Sequence, residues 1–386
     1  MNYVLPVSLS AVDSLKVKIT AVEAIPVRVP FRVPFKIASG GARPLSEAMI
    51  VRIKTDQGIE GIGETQAWRR QGSVDTLASL KCAIDQHLAP HAIGQSPFTL
   101  PAIAHRFDEA LYSSLYAKAA ILDALYDLQG KLLGIPTHVL LGGKFRERIG
   151  ACAVLMIKDD LEETLDNATE FRERGFRSFT IKVGLDAATD LRNITAIRKR
   201  FPNTILRVDA NASMGFDEAL VLLKKIEMFD IDAAEQMLAL WDIDGMAELA
   251  SRVIIPIMAD ECLSSDHDLL RVIKARAATV IQTKVAKNGG IWNSRKLWTI
   301  AQAAGMRIYP GNHPSTSIAT ASVVQLAAAW PGPLLDGPFA VRITGAFDGD
   351  LVTQPLRVEN GEVIVPPGPG LGVTLDESAL RSMRVD

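Results

Sequence analysis

Four short apolar runs between residues 179 and 259 decide the fold. They read FTIKV (179–183), TILRV (204–208), IDAAE (231–235) and VIIPIMA (253–259), with a charged residue at or beside the end of each run. Short runs rich in β-branched residues are typical of buried strands. The stretches between these runs are amphipathic, as in helices. Such alternation predicts parallel strands connected by helices.

The same alternation continues in both directions. Further runs read ACAVLMI (151–157), ATVIQT (278–283), MRIYP (306–310) and a weaker PLLD (333–336). Eight such runs, each but the last followed by a helical stretch, predict a parallel (β/α) barrel. The residues at the run ends recur about every 25 residues, roughly one strand–helix unit. They are Lys182, Asp209, Glu235, Asp260 and Lys284.

The region before the barrel has a different pattern. Strands are predicted at Val17 to Val29, Ala48 to Thr55 and Ile59 to Glu64, and apolar residues at helical spacing predict a helix from Ala117 to Leu133. The segment from Phe31 to Leu45 is rich in proline and contains two adjacent glycines, so we expect a long loop there.

We therefore expect four parts. Residues 1–15 form an N-terminal extension, 16–145 a small α+β domain and 146–340 the (β/α) barrel. The segment 341–386 is strand-like and rich in glycine, and we expect it to pack back on the α+β domain.

Composition excludes several classes of protein. The chain has 386 residues, of which 48% are hydrophobic and 22% charged, so it can bury a large core. A net charge of -2 without a long basic stretch argues against nucleic-acid binding. No apolar run is long enough for a membrane span, and no signal peptide is expected. The three cysteines lie far apart and predict buried apolar side chains in a cytoplasmic protein.

The charged residues at the run ends suggest a metal site. Asp209, Glu235 and Asp260 follow three consecutive predicted strands, and catalytic groups of such barrels lie at the carboxyl ends of the strands. Three converging carboxylates repel one another unless a cation lies between them. Oxygen ligands of this kind favour a hard ion such as Mg²⁺, with Mn²⁺ as an alternative. The alternative interpretation is three unrelated surface carboxylates at loop starts.

Two lysines complete the predicted site. Lys182 ends the second strand and Lys284 the sixth, so they face each other across the barrel. They could act as base and acid on opposite faces of one carbon, with pKa values lowered toward neutrality by a neighbouring cation and by each other. Taken singly, either lysine could instead be a solvated charge or an ion-pair partner.

The ordered motifs resemble the muconate-lactonizing (muconate cycloisomerase) subgroup of the enolase superfamily, related to mandelate racemase. The resemblance spans the chain from Lys16 to about Val385. Its elements are Thr180-Ile181-Lys182, Val208-Asp209-Ala210-Asn211, Glu235-Gln236-Met237, Asp260-Glu261, Lys284 to Gly290, the helix signature from Ala120 to Asp127, and Gly368 to Gly372.

The resemblance implies a fold, a cofactor and a reaction. The fold is a modified TIM barrel of (β/α)7β type, capped by an N-terminal α+β domain that the C-terminal segment completes. The reaction is removal of the proton alpha to a carboxylate, with Mg²⁺ held by the three carboxylates and Lys182 and Lys284 moving the proton. The protein would be a cytoplasmic homo-oligomer acting on a small-molecule carboxylate, without nucleic-acid or membrane partners.

The sequence departs from the family pattern at several positions. Thr180 replaces the first lysine of the family's KxK motif, and Ser315 stands where a glutamate is usual after the seventh strand. His313 lies near the catalytic histidine position of the mandelate racemase branch, so it is either a substrate-facing donor or a structural loop residue. The eighth-strand DxD of dipeptide epimerases is missing, which argues against that activity.

Several outcomes remain open after the alpha proton leaves. If the enolate is reprotonated, the enzyme is a racemase or epimerase. If a ring opens or closes, it is a cycloisomerase, and if a leaving group is lost by β-elimination, it is an acid-sugar or hydroxy-acid dehydratase. A catalytically silent binding barrel is the alternative from another class of protein. Supporting or substrate-binding roles are expected for Thr180, Asn211, Glu261, His313 and Ser315, and for the capping loops at 31–46 and 65–72. Those loops carry Arg32, Lys36, Arg43, Trp68, Arg69 and Arg70.

Overall fold

The structure is a computed structural model that describes residues 16–37, 40–67, 75–156, 160–337 and 347–385, with only the backbone described at 33–37 and 40–42. No helix in these ranges is long and apolar enough to cross a membrane.

An antiparallel sheet opens the chain. Its strands are β1 (Ile19–Ile37), β2 (Gly40–Thr55) and β3 (Glu60–Gln66), in the order β1-β2-β3. The prediction of a long loop from Phe31 to Leu45 is wrong, because β1 and β2 continue through most of this segment as a long hairpin. The ladder is irregular between Pro30 and Phe35. The prolines of β1 are tolerated because β1 is an edge strand.

Helices cover this sheet. The longest of the described helices is α4 (Leu115–Leu133). It begins two residues before the predicted start and ends as expected, and most of its residues are buried. It packs directly on β3, since a Cβ atom added at Gly63 would lie 2.1 Å from the Ala120 carbonyl oxygen. Cys82 is exposed at the end of α1 (Leu77–Cys82), so its predicted burial is wrong. The helices are α1 (Leu77–Cys82), which continues through a π-helical turn (Ala83–Leu88) into α2 (Ala89–Ala92), then α3 (Leu100–Ala110), α4 (Leu115–Leu133) and α5 (Thr137–Leu140).

The second half of the chain forms the predicted parallel barrel. Seven strands pair in chain order and are connected by helices. The strands are β5 (Cys152–Leu155), β6 (Ser178–Lys182), β7 (Ile205–Asp209), β8 (Ile231–Glu235), β9 (Ile257–Ala259), β10 (Val280–Lys284) and β11 (Arg307–Gly311). The helices are α6 (Leu161–Glu173), α7 (Ala187–Arg200), α8 (Phe216–Ile226), α9 (Ile243–Arg252), α10 (Asp266–Ala275), α11 (Gly290–Ala303) and α12 (Ser317–Ala329).

The eighth predicted run closes the barrel without being a regular strand. The Leu335 amide donates to the Ile308 carbonyl at 2.9 Å, on the β11 side. The Cys152 amide donates to the Gly337 carbonyl at 2.6 Å, on the β5 side. The run is too short and proline-rich for a full ladder, but these bonds join the first and seventh strands through it.

The C-terminal segment contacts the N-terminal sheet. Val27 forms an antiparallel bridge with Arg384, and Phe31 forms one with Phe347. A small separate sheet joins β4 (Arg148–Gly150) to β12 (Val358–Glu359) and β13 (Glu362–Ile364), and α13 (Glu377–Met383) ends the fold. The exact domain boundaries stay predictions.

The capping domain is fastened to the loop after β11. Glu64 on β3 accepts hydrogen bonds from the Thr316 amide at 3.0 Å, the Thr316 hydroxyl at 2.6 Å and the Ala319 amide at 2.9 Å. Ser46 on β2 donates to the Pro314 carbonyl at 3.1 Å. A carboxylate at a helix N-terminus is favoured by the helix dipole. These contacts place the capping domain over one side of the barrel mouth.

A buried carboxyl in α4 predicts a pH dependence of stability. Asp123 accepts a hydrogen bond from the Ile291 amide at 2.8 Å, and burial raises the pKa of Asp123 to about 7. The folded protein therefore holds this proton more tightly than the unfolded chain, so its stability falls as pH rises from about 4 to about 7. Asp123→Asn has no ionisable group at this position and should not lose stability in this way. The difference in stability, variant minus wild type, should therefore be more positive at pH 8 than at pH 5.

Urea unfolding at both pH values measures this difference. Asp166→Asn, a substitution on the exposed face of α6, is the matched control and should show no such change. An Asp123→Asn difference from wild type that is equal at both pH values would contradict the prediction.

Candidate active site

The register of the parallel strands brings the predicted residues together. Lys182 pairs with Asp209 across β6 and β7, and Asp209 pairs with Glu235 across β7 and β8. Asp260 follows the last residue of β9, and Lys284 ends β10. All five residues therefore lie at the carboxyl edge of the barrel, where such folds carry their catalytic groups.

The three carboxylates form one electrostatic unit. Burial raises the pKa of Glu235 well above its ordinary value, and the charges of Asp209 and Asp260 raise it further. Like charges in a site of low dielectric repel strongly, so the ionised form of Glu235 is unfavourable here without a cation. Of the three, Glu235 thus has the greatest electrostatic need for a positive partner.

Lys182 is held on one side of this unit. Its ammonium group forms an ion pair with Asp209 and donates to the Asn211 side-chain oxygen at 2.9 Å. Asn211 is in turn fixed, since its backbone amide donates to Asp209 Oδ1 at 2.8 Å. Burial opposes the charge of Lys182, but Asp209 and Glu235 outweigh it and raise the pKa of this lysine.

Lys284 is held on the other side by Asp260. Burial disfavours its charge, yet Asp260, Glu261 and Glu235 raise the pKa of Lys284 above its ordinary value. The carboxylates alone thus shift both lysines in the direction opposite to the predicted lowering. A divalent cation on these carboxylates would cancel much of that effect.

Lys287 is a site residue that sequence reasoning did not identify. It lies within the motif around Lys284, and its buried ammonium group contacts both Asp260 Oδ1, at 2.7 Å, and the Asp260 carbonyl. Burial favours the neutral form of Asp260, but Lys284 and Lys287 together hold the pKa of this carboxyl below its ordinary value. Its position three residues after Lys284, in the turn that follows β10, could have identified Lys287 as a site residue.

Gln236 and Glu261 connect neighbouring strand ends. The Gln236 side-chain oxygen accepts from the backbone amides of Asp260 at 3.1 Å and Cys262 at 3.2 Å. Asn211 donates to Glu261 Oε1 at 3.2 Å, while Glu261 Oε2 is buried and has no hydrogen-bond partner within the described part of the chain. Burial, followed by the charge of Asp260, raises the pKa of Glu261 to about 8.

The donor chemistry of the site fits a divalent cation. Asp209, Glu235 and Asp260 are buried at the ends of adjacent strands, and Glu261 has a buried oxygen without a hydrogen-bond partner among the described residues. Carboxylate oxygens are the ligands that hard divalent cations prefer. As the described side chains stand, no three acidic, histidine or cysteine groups form a ready metal cage. Instead, the oxygens of Asp209 and Asp260 contact ammonium groups. The role of Asp209, Glu235 and Asp260 as metal ligands stays a prediction.

The two departures from the family motifs have local partners. The Thr180 hydroxyl is buried inside the barrel, 3.1 Å from the Tyr309 hydroxyl and 3.3 Å from Cys152 Sγ. The Ser315 hydroxyl accepts from Asn312 Nδ2 at 2.8 Å and lies 3.4 Å from the Thr320 hydroxyl. Both hydroxyls therefore bond within the barrel framework, and a substrate contact for either stays a prediction.

His313 lies at the barrel mouth next to a residue of the capping domain. Its Nε2 atom is 3.3 Å from the hydroxyl of Tyr116, which stands near the start of α4. Burial lowers the pKa of His313 well below its ordinary value, and the charge of Lys284 lowers it further. Trp68, Arg69 and Arg70, and the side chain of Lys36, lie outside the described residues. Nothing in the local sequence could have paired Tyr116 with a residue of the loop that follows the seventh barrel strand.

Comparisons with known proteins agree with this architecture. Residues 19–142 match the model of the mandelate racemase/muconate lactonizing enzyme N-terminal domain, and residues 163–379 match that of the enolase C-terminal domain-like family. The chain is 32% identical to a chloromuconate cycloisomerase of Cupriavidus pinatubonensis, covering 93% of this chain and 98% of that protein. It is 31% identical to an N-succinyl-L-Arg/Lys racemase of Bacillus cereus, covering 95% and 98%.

A solved structure is similar over the same length. The muconate lactonizing enzyme from Pseudomonas fluorescens, complexed with muconolactone, superposes with a TM-score of 0.91 at 29% identity and covers 95% of this chain and 99% of its own. The modified TIM barrel and its antiparallel cap are thereby confirmed. The chain belongs to the mandelate racemase/muconate lactonizing enzyme family, and it is an enzyme of the enolase superfamily.

Proposed function

We propose that this enzyme is an isomerase that removes the proton alpha to a carboxylate to form an enolate. A racemase or epimerase returns a proton to that enolate, whereas a cycloisomerase breaks or forms the ring bond at the neighbouring carbon as the alpha proton leaves or is added. The observation that carries the proposal is the placement of Lys182 and Lys284 on opposite sides of one carboxylate cluster. Two bases that face one carbon can deliver protons to both of its faces. The similar proteins are named as isomerases, which supports the same reaction class.

We further propose that Asp209, Glu235 and Asp260 hold Mg²⁺, with Mn²⁺ as an alternative. Such an ion would supply positive charge for the negative charge that develops on the substrate carboxylate. The protein's own residues would position the two lysines and cover the site. Asn211 orients Lys182, Lys287 orients Asp260 beside Lys284, and the capping domain covers the mouth so that the exchange takes place away from bulk water.

The substrate class follows from the charges near the mouth. Burial lowers the pKa of His313, and the nearby positive charges of Lys284, Lys287 and Arg43 act in the same direction, against Asp260. An ammonium group on the substrate would be repelled there. We therefore propose a carboxylic acid with an acidic or hydroxylated distal group.

Deuterium exchange tests the reaction. The protein with Mg²⁺ is incubated in D₂O with a library of carboxylic acids: N-acyl amino acids, hydroxy acids, acid sugars and muconolactone. Incorporation of deuterium at the alpha carbon, read by mass spectrometry, is the expected result.

The products separate the possible outcomes. A product of changed configuration indicates racemisation or epimerisation. A product with an opened or closed ring indicates cycloisomerisation, and a product that has lost water indicates the dehydratase alternative. If a double variant, Lys182→Ala with Lys284→Ala, exchanges as fast as wild type, the proposed bases are wrong. If wild type exchanges none of the acids, the silent binding barrel is favoured.

A further inference from the structure

Glu64 joins the capping domain to the chain that follows the seventh barrel strand. It lies on β3, and its side chain is 1% exposed. One carboxylate oxygen accepts from the Thr316 amide at 3.0 Å and from Gln66 Nε2 at 2.9 Å. The other accepts from the Thr316 hydroxyl at 2.6 Å and from the Ala319 amide at 2.9 Å. All four groups donate, so the arrangement fits an ionised carboxylate. Burial raises the pKa of Glu64, and the hydrogen bonds from Thr316 and Ala319 act against this effect.

Glu64 holds one end of a short connection, residues 312–316, which we call the mouth segment. The mouth segment starts directly after β11, whose last residue pairs with Lys284 of β10. In the middle of the segment, Ser46 of β2 donates to the Pro314 carbonyl at 3.1 Å. The barrel thus fixes the first end of the mouth segment, and the capping domain fixes the middle and the last end.

Hydrogen bonds connect the two ends of the mouth segment. The Thr320 hydroxyl donates to the Thr316 carbonyl at 2.9 Å, and Asn312 Nδ2 donates to the Thr320 hydroxyl at 2.9 Å. Asn312 Nδ2 also donates to the Ser315 hydroxyl at 2.8 Å. All residues of the segment are buried, so its parts have little room to move independently. A shift at Thr316 is therefore expected to move Asn312, next to the strand that carries Lys284.

The mouth segment lies on the Lys284 side of the site. Burial lowers the pKa of His313, which belongs to the segment, and Lys284 has the largest effect of the nearby charges. Lys182 is held on the other side of the carboxylate cluster, by Asp209 and Asn211. A change in the mouth segment should therefore affect proton transfer by Lys284 more than proton transfer by Lys182.

We propose that Glu64 is a positioning residue for the half of the reaction that Lys284 performs. By fixing the mouth segment from the capping domain, it sets how a bound carboxylic acid lies relative to Lys284. The inference rests on the proposed function, because it needs Lys284 as one of two bases. It gives a strand of the capping domain an influence on one proton transfer, in addition to covering the mouth.

The test replaces Glu64 by its amide. Glu64→Gln keeps the size of the side chain, but it turns one acceptor oxygen into an NH₂ group that faces N–H or O–H donors. Glu60→Gln makes the same change at the start of β3, where the side chain is 41% exposed, and is the matched control. Each substitution is combined with Lys182→Ala and, separately, with Lys284→Ala, so that one proposed base remains. The probe is the acid of the library described above that the Mg²⁺-loaded wild type exchanges fastest, assayed by alpha-deuterium exchange.

The expected result is a loss on one side only. With Lys182→Ala, Glu64→Gln should lower kcat for exchange by Lys284 about tenfold, since a small misplacement of reacting groups is costly. With Lys284→Ala, exchange by Lys182 should stay within about twofold, and Glu60→Gln should change neither rate by more than that. A general loss of structure would slow both exchanges alike. If Glu64→Gln folds poorly, Thr316→Val should give the same one-sided loss, whereas Thr316→Ser keeps the hydroxyl and should not.

Other results overturn the inference without overturning the proposed function. The inference is wrong if Glu64→Gln slows exchange by Lys182 at least as much as exchange by Lys284, or slows neither. It is also wrong if Lys284 exchanges nothing in Lys182→Ala although wild type exchanges the acid. If Lys284 alone exchanges the acid, equal rates of Thr316→Val and Thr316→Ser contradict the inference, and a loss in Thr316→Val alone supports it. If wild type exchanges no acid at all, the proposed function and this inference fall together.

Discussion

Lys284→Ala and Lys182→Ala should each reduce turnover by about 10²–10⁴-fold, which is the usual contribution of a positioned acid or base. The physical reason is their placement, because Lys182 lies beside Asp209 and Lys284 beside Asp260, on opposite sides of the carboxylate cluster. If the reaction moves a proton between two faces of one carbon, each variant keeps one base. It should therefore still exchange the alpha hydrogen of one enantiomer and not of the other.

Both variants are expected to fold. After loss of Lys182, Asp209 keeps the hydrogen bonds from Asn211, and after loss of Lys284, Asp260 keeps Lys287. Lys225→Ala, on an exposed face of α8, is the matched control and should turn over like wild type. The measurement is chiral analysis of deuterium exchange with each enantiomer of one substrate. If only one lysine variant is inactive, the chemistry is one-sided and racemisation is wrong.

The barrel is predictable from the sequence because its signals are local. Each short β-branched run and its following helix can be recognised within about 30 residues, and parallel register then places successive run ends at one edge. For the same reason, the spacing of Asp209, Glu235 and Asp260 along the chain is enough to predict that they lie side by side. The family resemblance also depends on short ordered motifs, and the comparisons confirm it.

The wrong and missing predictions concern long-range contacts or backbone geometry, which local sequence patterns do not indicate. The proline-rich stretch after Phe31 favours a loop, but its place at a sheet edge allows prolines within a strand. Glu64 and Tyr116 meet Thr316 and His313 across more than half of the chain, and nothing near either residue indicates its partner. The direction of the lysine pKa shifts depends on which charges lie closest, which spacing alone cannot give.

Glu235→Gln should weaken metal binding without lowering the stability of the metal-free protein. Glu235→Gln is nearly isosteric, and it removes the carboxylate that Asp209 and Asp260 repel. Without metal, the variant should be at least as stable as wild type, because folding no longer has to bury a carboxyl group whose ionised form this site disfavours. Its affinity for a divalent ion should fall about 100-fold or more and its activity with it, because one of the three proposed ligand charges is gone.

Asp209→Asn provides the contrast that makes this prediction specific. It also removes a proposed ligand charge, but it leaves the buried ammonium group of Lys182 without its carboxylate partner. Breaking a buried ion pair by removing one partner costs about 3–5 kcal/mol, so this variant should lose both metal affinity and stability.

Titration with Mn²⁺ followed by electron paramagnetic resonance measures the affinity, and urea unfolding in EDTA measures the stability. Glu248→Gln on the exposed face of α9 is the control for a lost surface charge. Mn²⁺ binding by Glu235→Gln as tight as in wild type, or full activity of wild type after EDTA treatment, would refute the proposed metal site. Equal apo-protein stability losses in Glu235→Gln and Asp209→Asn would show instead that the two carboxylates do not differ in their partners as described. The different effects on stability expected for these two substitutions follow from one fact. Ammonium groups form ion pairs with Asp209 and Asp260, whereas burial and the neighbouring carboxylates disfavour a charge on Glu235.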